Sequence, residues 1–523
     1  MSWSERLSAD FPASIVVFLV ALPLCMGISI ASGVPPAAGL ITGIVGGIVV
    51  GFLAGCPLQV SGPAAGLAVM VFEIVQQHGI SMLGPIVLAA GFIQLAAGAL
   101  RLGQLFRAIA PAVIFGMLAG IGVLIAAAQF HVMVDDKPRG NGLANLISIP
   151  ESIYKGVWPL DGSSHHIAGM IGLGTLIVLV GWNQFAKGGL KKIPGSLVAV
   201  IVATAIAAIW KLPIQYISLP DNLADAINWP TLETMGKLLE GSVLVSVAAT
   251  AFVASAETLL SATAVDKMHS GEKTKYDKEL VAQGLGNVLC GLAGALPMTG
   301  VIVRSTANVM SGGKTRASAI MHGVWLLVLV VFAPFILKLV PTSSLAAILV
   351  FTGYKLVNPA NIKLLRQYGW LPVGIYGATL TVIVVQDLLT GIVVGLVLSA
   401  VKLIYMMTHL SIRTDHDPSK NRVDLHLEGA ATFLRLPALA DALDAVPFHG
   451  EVHIHFGRLG YVDHAAMDVI TDWKAQREKK GGVIYLETDH LMERYHQQNT
   501  VSFRDWKEKK RDKEELVTAA DAR

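Results

Sequence analysis

Apolar residues gather in runs of roughly twenty along most of this chain, the length that matches the ~30 Å hydrocarbon core of a bilayer. Fourteen runs can be traced, at 12–31, 35–54, 62–76, 83–100, 106–128, 166–186, 195–211, 240–264, 278–295, 299–310, 317–338, 342–356, 370–387 and 390–409. The third and tenth are short and open on Gly/Pro. The pattern predicts a polytopic α-helical membrane protein. A transmembrane β-barrel would show short alternating segments instead. An even count puts both termini on one side. Lys and Arg after even-numbered spans identify that side as cytoplasmic by the positive-inside rule: Arg101 and Arg107; Lys187, Lys191 and Lys192; Lys314 and Arg316; Lys355, Lys363 and Arg366. The loops at 131–165 and 212–239 are then external.

The pattern changes after residue 410. Residues 422–429 and 451–456 alternate like strands, 436–446 and 462–470 have helical period, and 482–488 reads as a further strand. Strands alternating with helices predict a small α/β domain. The expected division is a transport domain at 1–410, a polar linker at 411–421, a soluble domain at 422–500 and a charged tail at 501–523. Charge agrees with this: the last 113 residues hold 17 of the 40 Lys+Arg and 20 of the 37 Asp+Glu.

Composition narrows the classes further. The chain of 523 residues is 53% hydrophobic and 15% charged, where soluble domains carry about 25% charged residues. A net charge of +3 is too small to indicate nucleic-acid binding. Cys25, Cys56 and Cys290 lie apart in apolar segments and read as core packing. Trp3 to Asp10 is amphipathic and mixed in charge, unlike a secretory signal, and reads as an interfacial helix leading into the first span. No nucleophile–base pair or metal cluster emerges, so no enzyme is expected. His453 and His455 share a strand face without a fixed third ligand and read as exposed strand histidines. The basic run 507–513 reads as a solvated tail helix.

Two stretches within greasy segments need explaining: V-S-G-P-A-A-G (60–66) and L-P-M-T-G (296–300). Pro23 interrupts span one and Pro63 opens span three, 40 residues later. Glu257 interrupts span eight and Pro297 precedes span ten, also 40 later. The pairs are offset by 234 residues, close to seven spans, and an odd number of spans inverts the second copy. This is the trace of a seven-plus-seven inverted repeat, whose paired interruptions mark a transporter's midplane site. A short span starting mid-membrane exposes its first N–H groups and its positive dipole end. Two such starts facing each other make an anion site. Gly62, Gly66 and Gly300 allow close backbone approach there, Thr299 adds a hydroxyl donor and Arg304 a formal positive charge. The alternative for Arg304 is that it snorkels from the helix end. Glu257, with Thr258 and Ser261, is the expected coupling site for Na⁺ or H⁺. Ser261 follows at i+4 on the same helix face, so Na⁺ would be held by Glu257 and Ser261. An ion pair with Arg304 or structural hydrogen bonding are the other roles open to Glu257.

The stretches A-E-T-L-L-S-A-T-A-V-D-K-M (256–268), E-L-V-A-Q-G-L-G-N (279–287) and L-P-M-T-G-V-I-V-R-S-T-A-N-V-M-S-G-G-K-T-R (296–316), with 17–33 and 59–67, resemble the sulfate permease (solute carrier 26) family of anion transporters. The resemblance implies fourteen spans in core and gate domains, a cytoplasmic STAS domain, a homodimer and elevator-type alternating access. It implies an anion held between the starts of spans three and ten, by Gly62, Pro63, Ala64 and Ala65 on one side and Met298, Thr299 and Gly300 on the other. It also matches Glu257 to an acid carrying Na⁺ or H⁺ coupling, and Ser261 to a hydroxyl of the sodium site. Relatives often carry a hydroxyl residue where this chain has Ala64. In signalling relatives of the tail a phosphorylatable Ser follows the Asp, whereas His464 follows Asp463 here. The N-terminal wording resembles the bacterial subgroup associated with carbonic anhydrases, which implies bicarbonate ahead of sulfate, carried across the inner membrane. No cofactor beyond the coupling ion is expected. Rival readings are a proton-coupled dicarboxylate carrier of the same family, a nucleobase permease of the same fold and an uncoupled anion channel.

Overall fold

In a computed structural model the chain divides into two compact units, Met1–Val397 and Leu398–Arg523. The structure describes residues 3–104, 110–139, 142–158, 162–188, 190, 193–220, 223–417, 422–447 and 451–486. Arg107, Lys191, Lys192, the expected soluble domain beyond residue 486 and the tail at 501–523 lie outside the described residues.

Every apolar run carries a helix. They are α1 (Trp3–Ala31), α2 (Pro36–Val45), α3 (Ala65–His78), α4 (Leu83–Ala99), α5 (Pro111–Met133), α6 (Ser164–Phe185), α7 (Gly195–Ile209), α8 (Gly241–Asp266), α9 (Tyr276–Leu292), α10 (Ile302–Met310), α11 (Ala317–Phe332), α12 (Thr342–Leu356), α13 (Trp370–Val385) and α14 (Leu388–Thr408). Among the described residues, eight helical stretches are long and apolar enough to cross a bilayer, and α7, α11 and α13 are shorter apolar helices. The polar start at Trp3–Asp10 leads into the first span within one helix, since α1 runs unbroken from Trp3. Pro23 does not interrupt it either. A membrane helix tolerates a proline whose freed carbonyl is re-satisfied nearby. Likewise α8 passes straight through Glu257.

The real breaks lie before α3 and α10. Pro63 and Pro297 bias Gly62 and Leu296 toward extended backbone, and short strands follow: β1 (Ser61–Pro63) and β2 (Met298–Gly300). They pair antiparallel, with Ser61 opposite Gly300 and Pro63 opposite Met298. Strands this short leave polar groups over, and buried side chains take them up. Asn287 accepts from Met298 N at 2.7 Å and donates to Met298 O at 3.1 Å. Asn287 also donates to Gln94, which donates to Ser255. Ser305 Oγ accepts from Val60 N at 2.9 Å, and Val301 N donates to Val60 O at 2.9 Å. Glu279, fully buried, accepts from Gly55 N and Cys56 N and holds Gln283, which reaches Ser61.

Around this centre, α4 packs on α9 and α8, and α1 on α2, α10 and α11; a second set joins α5 to α12 and α13, and α6 to α7. Small residues set the closest approach. A Cβ on Gly284 of α9 would fall 2.6 Å from Leu95 N of α4.

The second unit holds a four-stranded sheet in the order β3 (Leu410–Asp417), β4 (Arg422–Ala431), β5 (Glu451–Val462), β6 (Val483–Leu486). β3 pairs antiparallel with β4, and β4–β5 and β5–β6 are parallel. Helices α15 (Leu436–Asp444) and α16 (His464–Glu478) complete it, and Val423, Leu425, Ile454, Leu439 and Ile470 form its core. The stretch expected as a linker is therefore mostly strand. Its charges obscured a segment whose backbone bonds are made with β4. His453 and His455 are half-buried rather than exposed, because His426 stacks on His455 and Tyr485 on His453.

Arg422 donates to Asp424 at 2.9 and 3.0 Å, and His455 lies 2.7 Å away; together they hold the Asp424 carboxyl down at about 2. An unfolded Asp titrates near ~3.9. The lowered value thus stabilises the fold above that pH, and the stabilisation is lost as pH falls toward about 2. In thermal unfolding of the full chain, Asp424→Asn should lower the α/β transition at neutral pH. The gap to wild type should close as the pH is taken below about 4. In the membrane unit, Asn287→Ala strands a buried N–H and should cost about 2–3 kcal/mol, read as a fall in melting temperature of purified protein in detergent.

Candidate functional site

The strand pair aims two helix starts at one place. Because β1 and β2 are antiparallel, α3 and α10 leave from opposite ends. Both starts border a cavity of about 690 Å³ lined by Ala65, Gly66, Val301, Ile302 and Val303, together with one face of α8. Neither start is capped by a side chain: the N-cap residues are Ala64 and Val301. First-turn N–H groups without a cap carry the positive end of the helix dipole. The α8 face runs along Glu257, Ser261, Ala264 and Met268 at helical spacing, and α5 supplies apolar wall at Ile114, Phe115 and Leu118.

Glu257 sits against α3. A Cβ on Gly66 would lie 2.7 and 2.9 Å from the Glu257 carboxylate oxygens, so only glycine leaves them room. Oε2 of Glu257 is buried without a hydrogen-bond partner among the described residues. Ser261 lines the same cavity. Thr258, one residue on, points elsewhere: its hydroxyl accepts from Gly300 N at 3.1 Å, and its carbonyl accepts from Gln59. Of the three expected cation ligands, Glu257 and Ser261 share the cavity, while Thr258 holds β2.

Arg304 lies in the first turn of α10 and is 0% exposed. The snorkelling alternative is thereby corrected, because the guanidinium turns inward. It packs on Gly62, where a Cβ would fall 2.2 Å from Nη1, and Nη2 donates to Pro63 O at 3.2 Å. Its Nε and Nη1 have no partner among the described residues. No ion pair joins it to Glu257 among those residues. Arg304 stands behind β1 and does not border the cavity. A buried charge without a counter-ion is costly. Here it adds positive potential next to the α10 start.

The remaining expected residues divide plainly. Ala65 lines the cavity. Gly62, Pro63, Met298, Thr299 and Gly300 build the strand pair behind it, and Ala64 is the α3 cap position. Gly66, expected to allow close backbone approach, borders the cavity, and Val301 to Val303, Ala264 and Lys267 border it without having been expected. The 3.6 period continued from Glu257 through Ser261 would have found Ala264.

Residues 7–379 match the sulfate permease family. The chain belongs to that family. A Bacillus subtilis (strain 168) protein named as a sulfate transporter, YvdB, is 30% identical over 84% of this chain and 83% of its own length. The bicarbonate transporter BicA of Picosynechococcus is 24% identical over 80% of this chain and 74% of its own. Among solved structures, murine Slc26a9, titled an anion transporter in the inward-facing state, superposes with a TM-score of 0.73 at 15% identity, covering 93% of this chain and 86% of that one. The transmembrane domain of a cyanobacterial BicA gives 0.60 at 22% identity, over 76% and 98%. These two likenesses establish the fold. Members of this family are transporters, not enzymes, and this chain is a multi-pass anion transporter of the same kind.

Gly66→Ala would drive the Glu257 carboxylate off α3. The clash is with the far end of a flexible side chain, so melting temperature should shift by no more than about 2 °C. Uptake of radiolabelled sulfate or bicarbonate into liposomes carrying the variant should fall about tenfold or more.

Proposed function

We propose that this protein is a secondary active transporter of a small inorganic oxyanion, bicarbonate first and sulfate next, coupled to Na⁺ or H⁺ at Glu257 and Ser261. The observation that carries this reading is the single cavity bordered by two uncapped helix starts and one carboxylate. The helix starts attract an anion. The carboxylate attracts a cation or takes up a proton, so each ligand improves the site for the other. The names of the relatives, sulfate transporter for one and bicarbonate transporter for another, support the substrate class.

The rest of the reading follows the family. The chain crosses the inner membrane fourteen times as a seven-plus-seven inverted repeat, with both termini cytoplasmic. The set α1–α4 with α8–α11 is the core, and α5–α7 with α12–α14 the gate. The core carries the site across the membrane as an elevator. The α/β unit is a STAS domain, and the protein works as a homodimer, in functional association with a carbonic anhydrase where bicarbonate is the cargo.

Purified protein in liposomes should take up radiolabelled bicarbonate under an inward Na⁺ or H⁺ gradient, and Glu257→Gln should abolish the gradient dependence. Transport by the variant that still follows the gradient would remove Glu257 from the coupling site. Uptake of dicarboxylates or nucleobases in place of oxyanions would reassign the substrate.

A further inference from the structure

The α8 face that lines the cavity does not stop at Ser261. It continues through Ala264 to Lys267 and Met268, where the helix ends. Ten residues of helix separate Glu257 from Lys267, a rise of about 15 Å. The cavity thus runs from a deep carboxylate to the end of α8. Glu257 and Lys267 are the only charged residues on its wall among the described residues.

A helix C-terminus is a poor doorway for an anion. Its carbonyls carry the negative dipole end, and here Ala264 O and Val265 O accept from Lys267 N and Met268 N while Asp266 O accepts from Lys273. Lys267 is the C-cap residue of α8 and is exposed. Its neighbours are occupied otherwise. Asp266 accepts from Thr274 N, Thr274 Oγ1 and Tyr276 Oη. Lys273 donates to the carbonyls of Asp266 and His269. No ion pair engages Lys267 among the described residues, so its charge is free to act on the cavity.

We propose that Lys267, the positive charge on this cavity wall, is the capture residue for the transported oxyanion at its mouth, feeding the anion toward the α3 and α10 starts. This rests on the oxyanion reading above. The role is electrostatic steering, so it belongs to KM and to one face of the membrane, and salt screens it. A lysine that merely complements the α8 dipole would alter melting temperature and leave the salt dependence of KM unchanged.

The test uses full-length protein in oriented liposomes, with radiolabelled sulfate and bicarbonate as probes at about 20 mM and about 500 mM ionic strength. At low salt, Lys267→Gln should raise KM about five- to tenfold for anion entering from the α8 end, with kcat within about twofold. Lys267→Glu should raise it further, and Lys267→Arg should restore it. High salt should bring all four proteins together, and entry from the opposite face should be unaffected. An unchanged KM in Lys267→Gln at low salt, beside normal wild-type transport, overturns the proposal alone. So does a KM effect equal at both salts and both faces with a lowered melting temperature. Wild-type protein that moves neither anion overturns the transport reading on which it rests.

Discussion

Every backbone N–H and C=O inside a bilayer has to find a partner within the protein. That constraint governs the centre of this molecule. Two helices begin in mid-membrane, and each leaves a short strand behind it. The strands β1 and β2 satisfy part of each other, and a shell of buried side chains satisfies the rest: Asn287 on Met298, Ser305 on Val60, Thr258 on Gly300. The groups outside this accounting are the uncapped first-turn donors of α3 and α10. They border the cavity. The cavity is therefore what remains when the backbone around it has been paired.

The two charges at the centre are kept apart by the same arrangement. Arg304 is enclosed behind β1 against Gly62 and Pro63, and Glu257 faces the cavity against Gly66. Had they paired, each would have neutralised the other and the cavity would hold no net field. Separated, both stand beside the α3 start, the guanidinium against Gly62 and Pro63 and the carboxylate against Gly66. Glycine at 62 and 66 is the steric condition for the separation, since a Cβ at either place would displace the charged group beside it.

Much of this was legible in the sequence because membrane spans are written in long apolar runs, and each run carries a helix. Pro63 and Pro297 marked the true breaks because proline restricts its own φ and the residue before it. Pro23 and Glu257 did not, since a helix in a protein-lined membrane core accommodates both. Periodicity placed Ser261 on the face of Glu257, and the structure keeps them together. It could not tell which face meets the cavity, so Thr258 was grouped with them although it turns to β2. Arg304 was legible as a charge in a span but not as one enclosed behind a strand, because the strand exists only through pairing 235 or more residues apart in sequence. The same applies to β3, whose charged residues hid a strand completed by β4.

Ala64 has a consequence for selectivity. A hydroxyl at the α3 cap would supply a directional donor, and here the cap has none. In the oxyanion reading proposed above, first-turn N–H groups and helix dipoles would hold the anion beside an apolar wall of Ile114, Phe115 and Leu118. Such a wall returns little of the hydration that an ion gives up on entry. The solvation cost of transfer into a poorly polar site rises with the square of the charge, so a doubly charged sulfate is penalised far more than a singly charged bicarbonate. Extra donors would narrow that difference, and this chain lacks the one that position 64 could have offered.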